Sequence, residues 1–271
     1  MIVFILFYFL FLPRIVRSRT EKFNRKALLL LTSGQARALP GLVKRSILLQ
    51  LFGPRGPLDA KLALAYVQCE EYRAAIPCFE SGIPTAPPTE QVALQTGLAK
   101  ALFAAGEFRR AEAEAEAIAK NVTRLPELLV ITARSRVALG KLDDETSKLL
   151  DEAEKLSPSD DVSLMITLTR IEFALLTGRK TSDLPEKSDS SYKLMRAWIH
   201  LVRGQLREHR KDKDKAIKSY SKAMDTLPGS FASKLADRRL RSLSSAGEQA
   251  SESGGGKPLD PVVRRKKKRR R

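Results

Sequence analysis

Residues 62–87 read LALAYVQCEEYRAAIPCFESGIPTAP, and the spacing inside this stretch decides the fold. Ala63, Tyr66, Tyr72, Ala75, Phe79, Gly82 and Pro87 follow one another at steps of 3, 6, 3, 4, 3 and 5 residues. Steps of three and four keep side chains on one face of an α-helix. Small residues on that face let neighbouring helices approach closely, and the aromatic rings fill the spaces beside them. Pro87 stops the pattern, because proline lacks the backbone donor a helix interior needs. The composition agrees: hydrophobic residues make up 43%, enough for a core, while aromatics make up only 6%. A chain rich in Ala, Leu, Lys, Arg and Glu favours helices, and no run of alternating β-branched residues argues for strands. The fold class read from this is all-α.

The same spacing recurs outward from that stretch. Leu98-Ala99, Leu102, Gly106, Phe108 and Ala111 form a second unit. Ala133, Leu139-Gly140 and Leu142 mark a third, with Gly140 lying 34 residues after Gly106. Ile171, Ala174 and Leu176-Thr177-Gly178 mark a fourth, whose second half is interrupted by Pro185 and the polar stretch Glu186–Ser191. Ala216, Tyr220, Ala223 and Pro228 close a fifth at steps of 4, 3 and 5. This pattern resembles the tetratricopeptide repeat family from about residue 56 to 230. The resemblance implies a solenoid of helical hairpins, each with a large-small pair and an aromatic on its first helix and a small-aromatic-small series on its second. Before the array, Arg25–Leu31 and Leu42–Phe52 read as two more helices, broken near Gly34 and Pro40-Gly41. After Pro228, helix signals from Ser230 through Arg241 fit a helix that covers the last apolar face. The domains expected are an anchor with its basic flank at 1–19, a helical linker or atypical capping repeat at 20–55, the repeats with their capping helix at 56–245, and a flexible linker with a tail at 246–271.

The resemblance further implies a concave surface lined by first helices that receives an extended peptide or a helix. Lys100 and Arg134 each follow the small residue of a large-small pair, so both are expected to face that groove, with Ala93, Thr96 and Val130 as neighbours. Relatives that dock chaperone C-termini hold the carboxylate with Lys, Arg and Asn at fixed groove positions. Ala60 and Leu64 stand at two of those positions here, so that clamp is incomplete.

Ile2–Leu12 is wholly apolar and is followed by Pro13 and six cations between Arg14 and Lys26, against Glu21 alone. No charge precedes the apolar run and no small-x-small site follows closely, so it does not read as a cleaved signal peptide. Cations on the C-terminal flank place that flank in the cytoplasm. Twelve residues rise about 18 Å as a helix, against about 30 Å of hydrocarbon. A span across a thinned bilayer, a partial insertion and the remnant of a longer segment all stay open.

The formal charge of +18 sits largely at the ends. Arg264, Arg265, Lys266, Lys267, Lys268, Arg269, Arg270 and Arg271 form an unbroken cationic run on a Gly-Ser-rich linker. Such a polyelectrolyte arm suits anionic lipid or RNA, by attraction to phosphate without sequence choice.

Catalytic signatures are missing from the sequence. It contains no Gly-x-Gly-x-x-Gly and no P-loop, and Glu112, Glu114 and Glu116 read as a solvated face. Cys69, Cys78, His200 and His209 have no metal-ligand spacing, and the thiols read as buried and reduced. Asn121-Val122-Thr123 fits a glycosylation sequon. The function expected is a membrane-anchored, non-catalytic scaffold that grips protein partners in its groove, with no cofactor or small-molecule substrate and with its body in the cytoplasm. A nucleic-acid- or ribosome-associated factor centred on the tail is the alternative from another class; a periplasmic or lumenal assembly factor of the same fold is a third.

Overall fold

The computed structural model describes residues 11–121, 125–156, 158–184 and 190–253, and of residues 121 and 246–253 the backbone alone. Most of the apolar N-terminal run, Val122 and Thr123 of the sequon, Pro185 with its polar neighbours to residue 189, and the cationic tail lie outside these residues. Among the described residues every regular element is helical.

Three short or polar helices come first: α1 (Leu12–Thr32), α2 (Leu39–Arg45) and α3 (Ile47–Phe52). The sequence suggested a helix from Leu42 to Phe52. Instead α2 starts earlier, because Pro40 sits in its first turn where no donor is lost, and Ser46 breaks it from α3 with φ −94 and ψ 55. Phe23, Ala27, Leu39 and Leu49 bury together with Leu58 and Ala65 of the next helix, a small core separate from the main one.

The array begins with the hairpin α4 (Arg55–Gln68) and α5 (Tyr72–Gly82), followed by α6 (Pro88–Ala105) with α7 (Phe108–Asn121) and α8 (Pro126–Ala138) with α9 (Asp144–Lys155). Then α10 (Asp160–Thr177) stands without a partner helix, since no helix is described between it and α11 (Lys193–His209). A hairpin of α11 with α12 (Lys213–Thr226) and a long α13 (Phe231–Ser253) complete the described residues. The last helix continues eight residues beyond Ser245, where a flexible linker was expected.

Each turn that closes a first helix contains one residue in the left-handed region. These are Glu70 (φ 60), Gly106 (φ 84), Gly140 (φ 77), Gly178 (φ 67) and Lys211 (φ 62). Three are glycine, which adopts this conformation without a clash, and two are not. Packing follows the spacing read from the sequence. Ala63, Ala75, Ala111 and Ala216 are fully buried. A Cβ added to Gly82 would lie 2.9 Å from the Ala60 backbone nitrogen, and one on Gly97 would meet the Phe79 ring. Small residues are therefore where backbones or rings touch.

The array does not stay open. Besides its own hairpin neighbours, α6 touches α13, and α11 touches both α10 and α13. Phe103 of α6, Trp198 of α11 and Phe231 of α13 stack edge-to-face or tilted with centroids 4.9 to 5.8 Å apart. Lys234 Nζ donates to the Ala105 carbonyl at 2.7 Å, and the Glu70 carboxylate accepts from the Lys193 and Leu194 backbone N–H groups at 2.9 and 3.1 Å. These bonds join residues more than 120 apart in sequence and tie the last helices to the first two hairpins.

Candidate functional site

Leu128–Val137 of α8 are all buried, so the body of this helix has no solvent face. A cation inside such a helix must find a counter-charge, because an unpaired buried charge is strongly disfavoured. Arg134 finds it in Glu172 of α10. Its Nη2 donates to Oε1 at 3.0 Å and its Nε lies 2.7 Å from Oε2, with both side chains at most 3% exposed. The Trp198 indole donates to Oε2 at 2.8 Å and the Gln205 amide to Oε1 at 3.4 Å, so the carboxylate is held from two helices, α8 and α11. The guanidinium carbon lies 5.3 Å from the Phe231 ring centre, 5.5 Å from Trp198 and 5.6 Å from Phe108. Rings at that range attract a desolvated cation through their quadrupoles.

The groove expected from the sequence is therefore divided. Arg134 and Val130 are 1% and 0% exposed and do not line an open surface. Arg134 is instead enclosed by Trp198 and Phe231 of the chain's own later helices. Ala93 is exposed and Thr96 half-buried, its hydroxyl donating to the Val92 carbonyl at 2.8 Å. Lys100 Nζ pairs with Glu127 at 2.7 Å, with side chains 39% and 31% exposed. Ala93, Thr96 and Lys100 on α6, with Glu127 at the start of α8, are what remains reachable.

Glu112 needs a second correction. It is buried rather than solvated, receiving Lys141 Nζ at 2.8 and 2.9 Å, with Arg136 Nη1 3.5 Å away. Arg136 also donates to Asp143 at 2.8 Å and Glu145 at 2.6 Å, fastening α9 to α8. Glu114 is half-buried, which pushes its carboxyl upward. Cys69 and Cys78 are half-buried free thiols, and burial raises both above the usual thiol range, which keeps them neutral and weakly nucleophilic. Among the described residues no group of His, Cys, Asp or Glu has the geometry to hold a metal.

Residues 96–161 match the family described as tetratricopeptide repeat. The match runs from within α6 to the start of α10, so it takes in the second and third hairpins and the Gly106 and Gly140 turns. For the outer hairpins the likeness rests on the recurring turn conformation and on the small-aromatic spacing. No curated protein and no solved structure matches the chain.

Sequence reasoning missed Glu172, Trp198, Phe231 and the capping role of Glu70. A signal for the first was present: Arg134 and Glu172 are each embedded in largely apolar helical stretches, LLVITARSRVAL and MITLTRIEFALL, where a buried charge requires a partner.

Proposed function

We propose that the protein is a non-catalytic scaffold that holds protein partners, kept at a membrane by its apolar N-terminal segment. The array of helical hairpins carries this reading, since tetratricopeptide repeats generally serve protein–protein interaction. With the inner side of the array filled, the partner is received at the rim formed by Ala93, Thr96 and Lys100 beside Glu127. There the α6 surface is open and the Lys100–Glu127 pair is exposed enough to exchange for intermolecular pairs at little cost. The tail Arg264–Arg271 adds a salt-sensitive contact with phosphate, on anionic lipid or RNA.

The test places a photo-crosslinking residue at Ala93 in the full chain, in its native membrane. Adducts to a discrete protein, weakened by Lys100→Glu and retained after removal of residues 264–271, are the expected result. If tail removal abolished every association while Lys100→Glu and the crosslinker detected nothing, the scaffold reading would give way to a nucleic-acid-associated factor centred on the tail.

A further inference from the structure

Large apolar side chains left exposed are concentrated at one end of the chain. Eight of the thirteen among the described residues fall between residues 11 and 52: Phe11, Ile15, Leu28, Leu29, Ile47, Leu48, Leu51 and Phe52. The same stretch has nine cations and one acid, Glu21, and all nine cations are exposed. Apolar side chains left exposed among so many cations do not describe an ordinary solvated surface.

Helix α3 shows the arrangement most clearly. Leu49 is 3% exposed and packs into the small core with Phe23, while Ile47, Leu48, Leu51 and Phe52 are 64%, 38%, 68% and 47% exposed. At about 100° per residue Ile47 and Leu51 stand opposite Leu49, with Leu48 and Phe52 on the flank between. One concavity beside α3 is lined by Ile47, Leu48 and five cations, Arg19, Lys22, Arg25, Lys26 and Arg45. A second contains Phe52 together with Leu12, Pro13 and Val16, at the point where Ile2–Leu12 joins α1. The exposed face thus reaches Leu12, and its rim is cationic.

We propose that α1 and α3 form a platform that lies on an anionic bilayer surface, with Ile47, Leu48, Leu51 and Phe52 entering the acyl boundary and the surrounding cations meeting lipid phosphates. An apolar face bordered by cations is the combination that binds at such an interface, the long stems of Lys and Arg reaching past the buried side chains to the headgroups. The proposal rests on the membrane tether of the reading above and deepens it. A tether alone leaves the array free to tumble, whereas a platform fixes which side of the array faces the lipid.

The test uses the full chain with Cys69→Ala and Cys78→Ala, carrying an environment-sensitive fluorophore at Leu51→Cys or, as a control in the exposed part of α12, at Lys222→Cys. It is bound to phosphatidylcholine vesicles with or without phosphatidylserine. The label at 51 should shift to the blue and be quenched by brominated acyl chains, more so with phosphatidylserine, while the label at 222 stays unchanged. In the unlabelled protein, Leu51→Glu should weaken vesicle binding by about tenfold or more, the scale of one apolar side chain withdrawn from hydrocarbon, with the circular dichroism unchanged. A vesicle-bound protein whose label at 51 stays in water overturns the platform and leaves the tether standing. No vesicle binding overturns both. A shift at 51 that grows with protein concentration without lipid overturns the proposal in favour of a second copy covering α3.

Discussion

Arg134 and Glu172 are the residues through which the inside of the molecule is held together. Removing one partner leaves the other charged and buried, whereas replacing both with apolar residues leaves nothing unpaired. Arg134→Met should therefore destabilise by about 3–5 kcal/mol, and Arg134→Met combined with Glu172→Leu by much less. Urea unfolding with an unchanged slope is the measurement; equal losses in the single and double variants would mean that the pair is not the buried contact described. Asp143 shows a residue-level effect that pH can report. Its carboxylate caps α9 by accepting the Thr146 N–H at 3.0 Å, and that bond, with Arg136 beside it, holds its proton affinity below the ordinary carboxylate range. The unfolded chain then takes up the proton more readily than the folded one. This stabilisation is therefore full at neutral pH and is lost as pH falls through and below about 4. Asp143→Ala should cost about 1 kcal/mol at pH 7, as loss of a helix cap does, and the difference from the parent should shrink on acidification. A difference that stayed constant down to acid pH would contradict the cap.

At the scale of elements, the five left-handed turn residues separate two situations that look alike in sequence. Lys211 (φ 62) occupies the conformation that Gly106 and Gly140 adopt freely, and its backbone is strained. Lys211→Gly should raise stability by about 0.5–1 kcal/mol. Glu70 (φ 60) carries the same strain, but its carboxylate caps α11 through the Lys193 and Leu194 N–H groups. Glu70→Gly should bring no such gain, because relief of strain is offset by loss of the cap. Thermal unfolding of the two variants side by side decides this, and equal gains would remove the cap from the account. The elements were also the level at which the sequence was most legible. Small residues and aromatics at steps of three and four marked the hairpins, since contact between adjacent helices depends on residues close in sequence. The residues that enclose Arg134 were not legible as a set. They come from α7, α10, α11 and α13, and no local spacing announces which distant rings will meet a given cation.

For the whole molecule, the expected open groove became an interior, and the reason is again aromatic. A solenoid whose units touch only their neighbours leaves its first helices facing solvent. Here no second helix follows α10 among the described residues, and α11 and α13 lie against the earlier helices, so that Phe103, Trp198 and Phe231 meet. On the function proposed above, partners would meet the α6 rim, and the apolar and cationic end of the chain would meet lipid. The chain's one tryptophan reports directly on whether the array closes on itself. Trp198 is fully buried, with its indole N–H on Glu172. In the full chain its fluorescence should be blue-shifted and poorly quenched by acrylamide, and Phe231→Ala should move both toward the values of a hydrated indole. Emission from the unaltered protein like that of a solvent-exposed tryptophan, with free quenching and no response to Phe231→Ala, would contradict the closed array.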